Sequence, residues 1–400
     1  MSHIVVIGAG QAGASLTAKL RAGGFDGDIT LIGAEDALPY QRPPLSKAYL
    51  LGDMDRERLF LRPAQFYDDQ RIALKLGAAV DAIDPAAKTI SVGGEVVSYD
   101  QLALTTGSSP RRLPASIGGD LDGVHVVRSL DDVDAMGADM APGKRVLIVG
   151  GGYIGLEAAA VASKMGLEVV VLEMAERILQ RVAAPETSGF FRALHGTHGV
   201  DIREGVGLDR LLGEGRVTGA RLSDGSEVDV DLVIVGVGIT PGEALARDAG
   251  LTLNNGIETD AHGRTSDPSI WAAGDCASFP WKGGRIRLES VQNAIDQAEL
   301  VAENMMGAGI DYEPKPWFWS DQYDVKLQIA GLNTGYDRIA TRRTGDAVSF
   351  WYYQGDTLLA VDAMNDPRNY MIGKRLIEAG KSPAPEVVED PDTDMKALLK

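Results

Sequence analysis

The sequence predicts an α/β chain in which two parallel-sheet units precede a smaller α+β domain, and three observations predict it. Short β-branched runs lead into glycines and then into Ala-rich helical stretches, the mark of strands buried on both faces of a parallel sheet. That whole pattern occurs twice, matched position for position through its glycines. Beyond Pro314 the texture changes to strand-like runs separated by turns, closed by one helix.

The first unit reads Ile4-Val5-Val6-Ile7, then Gly8-Ala9-Gly10-Gln11-Ala12-Gly13, a helical stretch to Arg21, and Ile29-Thr30-Leu31-Ile32. The second reads Val146-Leu147-Ile148-Val149, then Gly150-Gly151-Gly152-Tyr153-Ile154-Gly155, a helix to Lys164, and Val169-Val170-Val171-Leu172. A single G-x-G-x-x-G is weak evidence, because glycine-rich turns occur in any α/β protein. Here strand, glycine loop, helix and a closing acid stand together twice, which is the context the mechanism requires. Gly8 and Gly150 allow the tight turn. Gly10 and Gly152 let backbone approach a pyrophosphate, Gly13 and Gly155 let helix pack on strand, and the helix N-terminus faces the anion. Glu35 and Glu173 follow the next strand in each unit, placed to accept an adenosine ribose 2′-hydroxyl. The pattern therefore predicts two Rossmann-like dinucleotide-binding domains. A carboxylate at Glu173, followed by Met174 and Ala175, disfavours a 2′-phosphate and so favours NADH over NADPH; Arg177, four residues on, is the one nearby cation against that reading.

Between the units, residues 90–98 read as a hairpin and 101–104 as a strand ending at Thr105-Thr106-Gly107. Residues 217–228 read as a meander turning at Asp224-Gly225. Residues 232–235 run into Gly236-Val237-Gly238, and 270–273 are a strand stopped by Gly274-Asp275. In the last part, 326–329, 347–353 and 358–362 are strands, 372–379 a helix, and the Pro- and acid-rich 382–394 a loose tail. The resulting division is 1–110 with 240–315, then 111–239 inserted, then 316–400.

Composition narrows the function. Lys+Arg is 39 against 57 Asp+Glu, a net charge of −18, and such a surface repels phosphate backbones and anionic lipid. One cysteine, Cys276, excludes a disulfide scaffold, a thiolate-held metal and a redox dithiol within the chain. No metal is expected. Glycine is in surplus, 48 of 400, and the fingerprints account for part of it. With no leader pattern and no apolar run near the ~20 residues of a membrane span, the expectation is a soluble cytoplasmic protein.

These residues carry a resemblance. Two dinucleotide units, one inserted in the other, before a β-rich third domain resemble the FAD- and NAD-dependent disulfide-reductase superfamily. Tyr40-Gln41-Arg42-Pro43-Pro44-Leu45-Ser46-Lys47 is similar to the ferredoxin reductases of bacterial oxygenase systems. So are Thr106-Gly107-Ser108, Gly152-Tyr153-Ile154-Gly155-Leu156-Glu157, Gly236-Val237-Gly238-Ile239-Thr240-Pro241, Ala273-Gly274-Asp275-Cys276-Ala277 and Trp317-Phe318-Trp319-Ser320-Asp321-Gln322. Together they span nearly the whole chain in family order.

The resemblance implies FAD on the first unit and NADH on the second. Gly8, Gly10, Gly13 and Glu35 would hold the FAD adenosine and pyrophosphate, with Arg42, Lys47 and Thr106 beside it. Asp275 would bond its ribityl or pyrophosphate end. Backbone at Val291, opening a helix over 292–305, would face the pyrimidine, where a helix N-terminus favours negative charge. Lys47 and Glu157 would form the catalytic pair near flavin N5. Gly150, Gly152, Ile154, Gly155, Glu157, Glu173 and Gly238 would line the NADH site. Tyr153 is there either a lid or a structural aromatic, and Arg181 either a ligand of the ribose or phosphate or a solvated side chain. Trp319, with Trp317, would stand near the flavin edge; a Trp pair beside prolines otherwise reads as packing.

Dithiol relatives need a cysteine pair near the flavin, and residues 41–49 contain no cysteine. Electrons then leave singly to an outside carrier or go to oxygen; the resemblance implies the carrier, a [2Fe–2S] ferredoxin that serves a cytochrome P450 or a Rieske oxygenase. A rubredoxin reductase or NADH oxidase shares this logic, and an NADH-sensing flavoprotein resembling apoptosis-inducing factor is the alternative of another class. An acidic ferredoxin needs a local basic patch, for which Arg338, Arg342, Arg343, Lys374 and Arg375 are candidates against the reading of a solvated face. A monomer or weak dimer is expected.

Overall fold

The structure is a computed structural model and describes residues 2–400. It contains two compact units: Met1–Arg42, Asp55–Ser109 and Ile239–Pro314 form one, and Pro43–Met54, Pro110–Gly238 and Lys315–Lys400 form the other.

The first unit is built on a five-stranded parallel sheet in the order Ile270–Ala272, Gln101–Leu104, His3–Ile7, Asp28–Ile32, Ile72–Lys75. Strands buried on both faces need apolar residues at consecutive positions, and Ile4, Val5 and Val6 are each fully buried. His3–Ile7 has a neighbour on each side, and its two flanking strands come from different parts of the chain. The glycine loop that follows it therefore leaves the sheet at a topological switch point, where α/β sheets bind ligands. The helices Gln11–Ala22 and Val291–Met305 pack against one face through Leu16, Leu20, Ala298 and Val301. The Thr89–Val92 and Glu95–Ser98 hairpin forms as its sequence predicts, extended by Val80–Asp84 into a three-stranded sheet.

The second unit repeats the design with Asp201–Glu204, Glu168–Glu173, Arg145–Val149, Leu232–Val235 and Val124–His125, again all parallel. The meander is present, with an additional strand, Leu208–Glu214, that its mixed polarity concealed. The same unit holds a five-stranded antiparallel sheet, Trp317–Gln322, Val325–Gly331, Thr357–Met364, Ala347–Gln354 and Arg338–Thr344. One apolar cluster joins Leu156, Ile178 and Phe191 to Leu327, Phe350 and Tyr352, so this sheet and the second parallel sheet share a core.

The structure departs from the sequence expectation at the C-terminal helix and at the segment after it. The helix expected at 372–379 begins earlier, at Pro367, because the Asp366 carboxylate caps it through the Asn369 N–H at 3.1 Å. The helix that Val291 is expected to open forms as Val291–Met305, where the Ser290 hydroxyl caps through the Asn293 N–H. The stretch 382–394 is not a loose tail. Pro385–Glu389 is a helix, Met395–Leu399 a 3-10 turn, and Val388 and Met395 lie in the core. Arg342 is the reason: its guanidinium donates to the carbonyls of Val388, Asp390, Pro391 and Thr393 at 2.6–3.1 Å. Only 7% exposed, it is no part of a docking surface.

Candidate active site

The two glycine loops have the same geometry. Gly8 has φ +113° and Gly150 has φ +111°, a backbone open to glycine alone. The Gly8 N–H donates to Ile32 O and the Gly150 N–H to Leu172 O, both at 2.8 Å. A Cβ on Gly13 would stand 2.0 Å from Gly8 O, and one on Gly155 2.1 Å from Gly150 O. These glycines are thus spent on close helix–strand packing. Gly10 and Gly152 differ: a Cβ there would meet no protein atom within 4 Å. Each is extended backbone at the N-cap of its helix, and no side chain caps either helix. The N–H groups of both first turns face a cradle with room for an anion.

Around the first loop, the Glu35 carboxylate is held by Arg42 at 2.6 Å and by the Tyr40 hydroxyl at 2.5 Å. Thr106 donates to Gly242 O at 2.5 Å. Asp275 follows the Ile270–Ala272 strand and takes a 2.9 Å hydrogen bond from Ser108 Oγ. Gly274 beside it lies against Ala12 and Ala294, which brings Asp275 to the N-terminal ends of both packed helices. Val291 is the first residue of one of them and is half-buried.

Around the second loop, Glu173 Oε2 accepts from the Gly151 N–H at 2.9 Å and Oε1 from the Ala175 N–H at 2.8 Å. Arg177 is drawn aside to Ser188 Oγ at 2.6 Å. Gly238, with φ +98°, accepts from the Arg111 N–H at 2.9 Å. Ile154, in the first helical turn, is exposed, as is Arg181.

The helix Tyr153–Lys164 packs across the strand Trp317–Gln322, and two periods mesh there. Tyr153 and Glu157, one helical turn apart, meet Phe318 and Ser320, two residues apart on one strand face. The Tyr153 and Phe318 rings lie 5.0 Å apart. Glu157 Oε1 accepts from Ser320 Oγ at 2.7 Å and pairs with Lys47 Nζ at 3.0 Å, while Oε2 accepts from Ser46 Oγ at 2.9 Å. Ser46 and Lys47 arrive on a 3-10 turn, Pro43–Ser46, whose prolines pre-set its backbone. Burial pushes the Glu157 carboxyl up, against the opposing pull of Lys47 and the two serines. The arrangement holds an ammonium group in one place by a buried, triply bonded carboxylate.

Residues 2–298 match the family described as pyridine nucleotide-disulphide oxidoreductase, and 317–399 match the reductase C-terminal family. The chain belongs to the pyridine nucleotide-disulphide oxidoreductases. It is 42% identical to rhodocoxin reductase of Rhodococcus erythropolis over 99% of this chain and 94% of that one. The solved covalent putidaredoxin reductase–putidaredoxin complex matches with TM-score 0.96 and 39% identity, over 100% of this chain and 98% of that one. The ferredoxin reductase for the CYP199A2 system from Rhodopseudomonas palustris matches with the same TM-score and identity over the full length of both.

FAD and a nicotinamide nucleotide are the cofactors of this pyridine nucleotide-disulphide oxidoreductase, and its residues fit them. The open spaces at Gly10 and Gly152 are where a dinucleotide pyrophosphate needs to approach backbone. Trp319 is half-buried, on the opposite strand face from Phe318 and Ser320, with its ring 5.5 Å from that of Trp317; Lys374 lies over Trp317 at 5.4 Å. Cys276 is fully buried against Leu104 O and Ala273 O, and burial pushes its thiol up, so it is a packing residue in the oxidoreductase. The Tyr153 hydroxyl is buried without a hydrogen-bond partner. Near it Asp362, fully buried, accepts from Thr187 at 2.7 Å and from Tyr352, and burial pushes its carboxyl up to about 6.

Sequence reasoning missed Ser46, Ser320, Tyr40 and Ser108, the immediate partners of Glu157, Glu35 and Asp275. Each lies inside a stretch whose neighbours were singled out. A serine or tyrosine carries no signal of its own until the carboxylate it serves is placed. Among the described residues no group of His, Cys, Asp and Glu could hold a metal ion, and no helix is long and apolar enough to cross a membrane.

Proposed function

We propose that this chain takes electrons from NADH through FAD and delivers them one at a time to a [2Fe–2S] ferredoxin serving a cytochrome P450 or a Rieske-type oxygenase. The observation that carries this reading is the coexistence of two glycine cradles with a single thiol that is buried. Without a dithiol, electrons leave to an external carrier, and the relatives at about 40% identity act as ferredoxin reductases.

Bound FAD supplies hydride acceptance from NADH and one-electron release, and the protein supplies binding and electrostatics. On this reading Gly8, Gly10, Gly13, Glu35, Arg42, Thr106, Asp275, Val291 and Trp319 hold FAD. Asp275 accepts from hydroxyl groups, and the Val291 helix N-terminus favours negative charge. Gly150, Gly152, Tyr153, Ile154, Gly155, Glu173, Arg181 and Gly238 hold NADH. Lys47 polarises the flavin, and Glu157 fixes the position of its ammonium. Glu173, with Arg177 turned to Ser188, favours NADH over NADPH. The functional division is 1–110 with 240–315 for FAD, 111–239 for NADH and 316–400 as the third domain, in a cytoplasmic monomer or weak dimer. Of the basic candidates for docking, Arg343 and Arg375 are exposed, whereas Arg338 pairs with Glu386 and Lys374 with Glu378.

The test is acceptor kinetics with the purified yellow protein. Reduction of an added [2Fe–2S] ferredoxin by NADH should far exceed oxygen consumption. Comparable rates point to an NADH oxidase, and a flavin that is reduced but delivers to no carrier points to a sensor.

A further inference from the structure

Gly151 is fixed at both ends of its backbone. Its N–H donates to Glu173, and its carbonyl accepts from the Leu179 N–H at 3.0 Å. Leu179 has φ +56°, a left-handed conformation that a leucine adopts only where its surroundings hold it. Ile178, before it, is fully buried and packs so closely on Gly151 that a Cβ there would lie 2.6 Å from Ile178 Cγ2. Ile178 is itself held at both ends of its backbone. Its carbonyl accepts from Ser188 Oγ at 2.6 Å, and its N–H donates to Glu204 Oε1 at 2.8 Å. Glu204 is the register neighbour of Glu173 on the adjacent strand, and Arg192 grips both its oxygens at 2.8 Å.

We propose that Glu204 is a positioning residue for NADH: through Ile178 and Leu179 it holds the second glycine loop in the shape that leaves Gly152 facing an open cradle. Two carboxylates on neighbouring strands thus set the loop from opposite sides, Glu173 directly and Glu204 through the turn. Neither Glu204 nor Arg192 touches the cradle, so their effect falls on nucleotide affinity and spares the chemical step. The inference rests on the reading that this cradle takes NADH.

The experiment measures NADH dissociation and the limiting rate of flavin reduction by stopped flow on the FAD-loaded protein. Losing a hydrogen bond to a charged group predicts that Glu204→Ala raises the NADH Kd about tenfold, with the limiting rate unchanged. Glu204→Gln keeps an acceptor for the Ile178 N–H and is expected to restore most of the affinity. Arg192→Met removes a partly exposed side chain, so it folds even where Glu204→Ala does not; it should raise Kd about threefold by loosening Glu204. Arg203→Ala breaks the neighbouring Arg203–Asp201 ion pair on the same strand and should leave Kd unchanged. An unchanged Kd in Arg192→Met overturns the proposal when Kd is also unchanged in Glu204→Ala or when Glu204→Ala does not fold, as does an equal rise in Arg203→Ala. Failure of NADH to bind the unaltered protein overturns the underlying reading instead.

Discussion

Lys47 Nζ stands 3.0 Å from Glu157 Oε1 in a site where the glutamate side chain is 6% exposed and the lysine 18%. A buried ion pair of this kind is costly to break from one side, because the remaining charge is left without compensation. Lys47→Met is expected to lower stability by about 3–5 kcal/mol and to slow flavin reduction by NADH at least tenfold. Lys47→Met with Glu157→Leu should regain the stability and not the rate. Thermal melts beside stopped-flow reduction separate the two effects, and recovery of both together would leave the pair no chemical role.

The same pair predicts a pH dependence. Burial raises the Glu157 carboxyl, so the charged form is lost as pH falls through a value above the ordinary glutamate range. Flavin reduction should therefore decline on the acid side with a midpoint above about 4.3, and Glu157→Gln should lack that limb. A pH profile of the reduction rate is the measurement.

Glycines that look alike in the fingerprints should fail differently. Gly10→Ala and Gly152→Ala place a methyl in open space, so the protein should fold while losing, respectively, bound FAD and NADH affinity. Gly13→Ala and Gly155→Ala drive a methyl into a carbonyl oxygen and should give little folded protein. Flavin absorbance, NADH titration and circular dichroism distinguish the outcomes.

Arg342→Met removes four hydrogen bonds to the C-terminal segment. A loss of about 3 kcal/mol or more is expected, with new proteolytic cleavage among residues 385–395. A segment that stays protected would show that Val388 and Met395 suffice to hold it.

Asp362 carries a stability signature of its own. Its folded-state value of about 6 lies above the unfolded value, so the cost of its buried charge is fully present above about pH 6. That cost is relieved as pH falls toward 4. Asp362→Asn removes this relief. The stability of the parent relative to Asp362→Asn should therefore rise by roughly 2–3 kcal/mol between pH 7 and pH 4 and stay flat above 7. Denaturant titrations of both proteins across that range test it.

Much of this protein was legible along the chain. The two glycine units, their flanking strands and their helices are local features, written in the 2.0 and 3.6 periods and in glycine's access to positive φ. The single cysteine, by number and place, already pointed away from thiol chemistry. Other features needed the fold. The partners of Glu157 come from Ser46, 111 residues before it, and Ser320, 163 after it. The C-terminal segment looked disordered because Pro and acid are poor core formers; Arg342, 46–51 residues earlier, supplies the hydrogen bonds that order it. Local sequence sets which backbone conformations are available. Which carboxylate a distant serine, lysine or arginine serves is decided only when packing brings them together, since no periodicity encodes a contact between remote segments.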